Sequence, residues 1–133
     1  MAGVGGNIAT AEMDVLGALW RLKSGTVRDV LDELGRQGRR LAYTTVLTLL
    51  GRMERKGCVA RAKSDGLAHV YRPRVTRERV MAARLGAMVR QLGDGEAAPL
   101  IMQLVQAHKL SAGDIRQLRG LLAELEREAS GTR

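Results

Sequence analysis

Hydrophobic positions along the chain recur with two different periods. Between Thr10 and Leu22, the residues Met13, Leu16, Leu19 and Trp20 return every three or four positions, the spacing of one helix face. Thr10 stands where a side-chain cap would start this helix, and Glu12 and Asp14 suit the positive end of its dipole. Lys23-Ser24-Gly25 interrupts it. Thr26-x-x-Asp29 reads as a capping box opening a second helix, with Val27, Val30, Leu31 and Leu34 on its inner face and Gly35 and Gly38 at its end. A third helix is predicted from about Tyr43 to Lys56, stopped by Gly57. On a helical wheel, its Val46, Leu49, Leu50 and Met53 fall within one arc of about 100°. Thr44, Thr48, Arg52 and Arg55 fall on the opposite side.

Alternation then replaces the helical period. Val59, Arg61 and Lys63 share one side of a strand from Cys58 to Lys63, and Cys58, Ala60 and Ala62 share the other. Ser64-Asp65-Gly66 is a turn signal, with Asp-Gly favoured in tight hairpins. Leu67 to Arg72 reads as the returning strand, which Pro73 ends. From Thr76 the helical period resumes. Met81, Leu85, Met88 and Leu92 form a stripe widened by Val80 and Val89, and Gly93-Asp94-Gly95 breaks it. Pro99 suits the first turn of a short helix carrying Leu100, Ile101, Leu104 and Val105. Ser111-x-x-Asp114 is a second capping box, and opens a last helix with Ile115, Leu118, Leu121, Leu122 and Leu125 on one face.

Three helices followed by a β-hairpin is the order of a winged helix-turn-helix, whose third helix enters the DNA major groove. The predicted fold is therefore mainly α with a small β-hairpin: a winged-helix DNA-binding domain plus a C-terminal helical dimerisation region. The expected boundaries are a disordered N-terminus at 1–8, the winged helix at 9–75, the helical region at 76–129 and a tail at 130–133. The C-terminal stripes need a partner, and a twofold homodimer is the commonest solution. Met81, Leu85, Met88, Leu92, Leu100, Ile101, Leu104, Leu118, Leu121, Leu122 and Leu125 are the candidate dimer contacts. The competing expectation is that these helices pack back on the first domain.

Charge sharpens the picture. The net charge is +8, and the window 36–74 carries all of it: Arg36, Arg39, Arg40, Arg52, Arg55, Lys56, Arg61, Lys63, Arg72 and Arg74 stand against Glu54 and Asp65 alone. A basic patch confined to one part of a small domain is the footprint of a polyanion. The threonines then make sense. A helix seated in a groove about 12 Å wide needs short side chains on the seated face. Thr44 and Thr48 can touch a thymine methyl or bond base edges, while Arg52 and Arg55 can reach phosphates or guanine. Tyr43 and Thr45 suit phosphates at the helix start. Arg61 and Lys63 suit the flanking backbone, and Arg39 and Arg40 the opposite strand. Leu47, at the edge of the polar face, reads equally as a base contact or the rim of the core.

Other chemistries find little support. Aromatics are 2% of the residues and Phe is absent, which leaves no obvious ligand pocket. His69 and His108 have no metal-ligand spacing, so no metal or cofactor is expected. Cys58, the single cysteine, reads as a small buried hydrophobe and excludes an internal disulfide. No catalytic constellation and no glycine-rich phosphate loop is visible, so no enzyme is expected. No apolar run approaches the ~20 residues of a membrane span, and no signal peptide is present, so the expected location is the cytoplasm.

The chain resembles the penicillinase-repressor (BlaI/MecI) family of bacterial transcriptional repressors. The resemblance rests on Thr10-Ala-Glu-Met-Asp-Val-Leu-Gly-Ala-Leu-Trp20, Val27-Arg-Asp-Val-Leu31, Ala42-Tyr-Thr-Thr-Val-Leu-Thr48, Arg52-Met-Glu-Arg-Lys-Gly57, Val70-Tyr71 and Leu110-Ser-Ala-Gly-Asp-Ile-Arg-Gln-Leu118. It implies a homodimer on a near-palindromic double-stranded DNA operator, repressing β-lactam-resistance or related stress genes. It also implies relief through a membrane sensor-protease system that cuts the dimerisation region. The family's cut lies at an Asn–Phe bond, where this chain reads Met102-Gln103-Leu104-Val105, making Gln103 and Leu104 the candidate cleavage residues. Copper-responsive relatives carry a cysteine-rich C-terminus, whereas this chain ends Arg127-Glu-Ala-Ser-Gly-Thr-Arg133. The alternative reading is a sequence-neutral, nucleoid-type nucleic-acid binder using the same charges.

Overall fold

A computed structural model describes residues 8–66 and 68–131. The expected disordered N-terminus therefore lies outside the described residues except for Ile8, as do Leu67 and the end of the expected tail. The chain divides into two compact units, Met1–Met88 and Val89–Arg133. The elements run α1 (Thr10–Leu22), α2 (Val27–Arg36), α3 (Tyr43–Lys56), β1 (Val59–Lys63), β2 (His69–Pro73), α4 (Arg77–Leu92), α5 (Ala98–Ala107) and α6 (Ala112–Gly131). This is a mainly helical chain with a two-stranded antiparallel hairpin after the third helix, the winged-helix arrangement.

The core of the first unit gathers one face from each helix. Val15, Leu16 and Leu19 of α1 meet Val30 and Leu34 of α2 and Val46, Leu50 and Met53 of α3, closed by Val59, Tyr71 and Val80. Thr10 does not cap α1. It is the first helical residue and is exposed; the cap is Ala9, whose N–H donates to Glu12 Oε1 at 3.0 Å. Glu12 is fully buried rather than solvated at a helix end. The second helix starts as its sequence dictates: Asp29 N–H donates to Thr26 Oγ1 and Thr26 N–H to Asp29 Oδ2. Helix α3 stops where Gly57 turns left-handed, at φ 84°, a conformation that costs glycine little.

The hairpin departs from expectation in its turn. Its register pairs Val59 with Pro73 and Lys63 with His69, so the strands do not close on a two-residue Asp65-Gly66 turn. The Ser64 hydroxyl closes this longer loop, donating to the Ala68 carbonyl at 2.9 Å and accepting from Gly66 N–H at 3.3 Å. The returning strand consequently starts at His69 and includes Pro73. Nor is Gly25 only a helix breaker. It exchanges two backbone bonds with Tyr71, at 2.9 and 2.8 Å, fastening the hairpin to the α1–α2 connection. A β-carbon at Gly25 would lie 2.9 Å from that of Asp29. Trp20 secures the chain beyond the hairpin: its indole N–H donates to the Val75 carbonyl at 2.8 Å, and Arg77 lies over its ring at 4.7 Å.

In the second unit, α6 opens on its capping box, with Asp114 N–H donating to Ser111 Oγ and Ser111 N–H to Asp114 Oδ2. Pro99 occupies the first turn of α5. No residue of α5 or α6 is buried.

Candidate nucleic-acid interface

Helix α3 is held from one side only. Val46, Leu50 and Met53 are fully buried and Leu49 nearly so, which compensates for the weak helix propensity of three threonines. The opposite side carries Thr44, Thr45, Thr48, Arg52 and Arg55, all exposed. Thr44, Thr45, Thr48 and Arg52 line a shallow groove along the helix. Leu47 lies on this exposed side too, at 44% exposure, and not on the core rim. Ala42 offers the helix start no side-chain cap, so the first-turn N–H groups are left to solvent or to an anion.

Burial separates cations that hold the fold from cations that remain available. Lys56 Nζ donates to Glu12 Oε1 at 2.7 Å and Arg36 pairs with Glu33 at 2.8 Å. Arg61 lies 3.5 Å from Glu54, and Arg39 lies 3.8 Å from Asp14. Arg40, Arg52, Arg55, Lys63, Arg72 and Arg74 form no ion pair among the described residues. Alternation places Arg61 and Lys63 on one face of β1, as expected. Their face is shared with buried Val59 and Tyr71, which is why Arg61 reaches back to Glu54 on α3. The sequence reading missed Arg28. From the first turn of α2, its guanidinium lies 5.6 Å from the centre of the half-exposed Tyr43 ring, adding a cation beside the start of α3. Nothing local in the sequence signals that contact.

The titratable groups behind this surface are locked. Burial alone would raise the Glu12 carboxyl, but the hydrogen bonds from Lys56 and Ala9 and the charges of Lys56 and Arg52 outweigh it and hold Glu12 below its ordinary value. Its second oxygen, Oε2, has no hydrogen-bond partner among the described residues. Glu33 is held at about 2, chiefly by hydrogen bonds from Arg21 and Arg36. Burial, and then the Glu12 charge, push the Cys58 thiol up; it sits in the core as a small hydrophobe. His69 is half-buried opposite Lys63, and His108 ends α5. Among the described residues no group of His, Cys, Asp and Glu is arranged to hold a metal.

The first unit contains an open cleft of about 500 Å³ beside α1, α2 and the start of α4. A single tryptophan, Trp20, with Leu34, Val80 and methionines, is enough to line it.

The candidate dimer contacts stand out of the single chain. Met81, Leu85, Met88 and Leu92 are exposed along α4, Ile101 and Leu104 along α5, and Leu118, Leu121, Leu122 and Leu125 along α6, with Leu122 at 58%. Leu100 is half-buried. Gln103 and Leu104 lie inside helical α5, both exposed. Among the described residues no helix is long and apolar enough to cross a membrane.

A family model described as penicillinase repressor matches residues 8–124. The chain is 35% identical over 117 residues to the transcriptional regulator BlaI of Mycobacterium tuberculosis, covering 86% of this chain and 82% of that protein. It is 22% identical over 121 residues to the penicillinase repressor of Staphylococcus aureus, covering 91% and 94%. Among solved structures, the complex structure of hsRosR-S4 superposes with a TM-score of 0.52 at 10% identity, covering 95% of this chain and 96% of that one, a likeness of fold alone.

Proposed function

Because this chain belongs to the penicillinase-repressor family, and so is a transcriptional repressor with a winged-helix DNA-binding domain, we propose that it acts as a homodimer on a near-palindromic operator. The observation that carries this reading is the one-sided burial of α3. A helix clamped by Val46, Leu49, Leu50 and Met53 offers Thr44, Thr48, Arg52 and Arg55 to a groove as one rigid face. Thr44 and Thr48 read base edges, with Arg52 and Arg55 further along the same face. Tyr43, Thr45 and Arg28 hold phosphates at the helix start. Lys63, and Arg61 in competition with Glu54, follow the flanking backbone. Arg40 reaches the opposite strand, as Arg39 does once it leaves Asp14.

The DNA-binding domain spans residues 9–75, and residues 76–129 hold the dimer through the exposed apolar faces of α4, α5 and α6. Two half-sites on one body make the second contact intramolecular, so loss of the dimer costs much of the operator affinity. The target genes are β-lactam-resistance or related stress genes, as the penicillinase-repressor name suggests, and the chain works in the cytoplasm without catalysis. Relief comes by proteolysis in the dimer region, through a membrane sensor-protease system. The Gln103–Leu104 bond, inside helical α5, is the candidate cut, and cutting it would break one of the helices that hold the dimer.

The test is selection of bound genomic DNA by the purified full chain at physiological salt, beside Thr48→Ala and Arg52→Ala. One twofold-symmetric motif, lost by both variants, is the expected result. Smooth binding without a motif, little changed in the variants, would replace this reading with a sequence-neutral nucleic-acid binder.

A further inference from the structure

The cleft of the first unit has a specific chemical character. Its volume of about 500 Å³ lies in the range of small-molecule sites. Trp20, Leu34 and Val80 give it an apolar wall. Four arginines, Arg21, Arg39, Arg77 and Arg84, also line it, against a single carboxylate, Asp14. Two of the four are already engaged: Arg21 by Glu33, and Arg84 by the Ile8 carbonyl. The other two are not saturated. Arg39 stands 3.8 Å from Asp14, the longest ion pair among the described residues, with 60% of its side chain exposed. Arg77 is stacked on Trp20 and has no carboxylate partner among the described residues, so its N–H edge remains open.

We propose that this cleft binds a small organic carboxylate with an apolar body. The apolar body lies against Trp20 and Val80, and the carboxylate meets the arginine-lined rim where Arg39 and Arg77 stand. A neutral apolar ligand would leave the excess positive charge unanswered, and a bare inorganic anion would leave the apolar wall wet. A guanidinium supplies two parallel N–H donors that match a carboxylate in both charge and shape. Arg39 lies in the connection that leads into α3, and Val80 lies on α4. A ligand touching both ties the entry of α3 to α4, so its affinity and that of DNA become interdependent. Only this coupling rests on the DNA-binding reading.

The test uses the full chain and its single tryptophan, Trp20, whose emission reports directly on the cleft. Cyclohexylacetate, its amide cyclohexylacetamide, and acetate are titrated in turn, and the carboxylate titration is repeated by calorimetry on variants. Cyclohexylacetate should give a saturable response, with the amide and acetate each weaker by about tenfold or more. Arg39→Gln and Arg77→Gln should each weaken it by about fivefold or more. Gly17→Met should abolish it by filling the cleft; a β-carbon there meets only Arg21 Nη1, at 3.6 Å. Should Gly17→Met fold poorly, the two surface arginine variants decide. Equal responses to all three compounds, absence of saturation, or unchanged affinity in both arginine variants would overturn the site. A chain that binds cyclohexylacetate but no DNA would refute the repressor reading and leave the site standing. A carboxylate that binds but leaves DNA affinity unchanged would refute the coupling alone.

Discussion

The Glu12–Lys56 pair permits a sharp perturbation. Glu12 is wholly buried, and among the described residues its carboxylate accepts from Lys56 Nζ at 2.7 Å and from Ala9 N–H at 3.0 Å. Lys56→Met keeps the length and apolar stem of the side chain but removes the charge. Glu12 is then left ionised in the core with one backbone donor, and breaking a buried pair in this way costs about 3–5 kcal/mol. For a domain of this size that corresponds to a fall in melting temperature of ~12 °C or more. The reverse change, Glu12→Gln, is milder, about 1–3 kcal/mol, because Lys56 is 27% exposed and can turn to water. The double variant Glu12→Leu/Lys56→Met should recover most of the loss, since an apolar pair of similar volume often replaces a buried ion pair without cost. The damage in Lys56→Met should also shrink on acidification, as protonation removes the stranded charge. Circular-dichroism melts at one fixed protomer concentration, from neutral to acidic pH, measure all four chains. A loss below about 1 kcal/mol at neutral pH in Lys56→Met, or a double variant no better than the single, would refute the assignment of Lys56 to the fold.

Four other outcomes follow from the same contacts. Lys63→Ala should lower the slope of log K against log salt by about one, and Arg61→Ala by less because Glu54 already shares that charge; anisotropy on operator DNA reads both. Glu33 is depressed to about 2 from 4.5, so its stabilisation is complete above the unfolded value and is lost as pH falls from 4.5 toward 2; acid unfolding of Glu33→Gln should lack that limb. Leu121→Glu with Leu122→Glu should yield a monomer in sedimentation with the winged unit still folded, and a dimer that survives would exclude α6 as the interface. Cys58 should resist a thiol reagent in the native chain by at least about 100-fold relative to the chain in urea, because its thiol is buried and its pKa raised.

Much of the fold was legible because it is local. The third helix runs Tyr43–Lys56 as its period dictates, and two of the caps, Thr26 and Ser111, sit three residues from the partners that make them visible. The buried stripe Val46, Leu49, Leu50 and Met53 follows from spacing alone. What escaped depends on contacts between distant positions. Glu12 looked like a dipole partner; its real partner is 44 residues away. Trp20 finds Val75 at a separation of 55. The Gly25–Tyr71 exchange, the stack of Arg28 on Tyr43 and the arginine-lined cleft need chain folding that no window reveals. The turn was misjudged for a different reason. Asp-Gly signals a reversal of the chain but not its register, and the Ser64 hydroxyl bonds that accompany the observed register involve Gly66 and Ala68 rather than a two-residue turn.

The hairpin is, mechanically, a cantilever. Its root is clamped where buried Tyr71 trades two backbone bonds with Gly25 and Val59 enters the core, while Lys63 stands exposed at the far end of β1. A small rotation at the clamp becomes a larger sweep at the tip, and the Arg61–Glu54 ion pair ties β1 to α3. A change at Gly25, at the root of the hairpin, therefore re-aims Lys63. Lys63 itself makes no hydrogen bond or ion pair with the threonine face of α3 among the described residues. Aim is set at the root and tolerance at the tip.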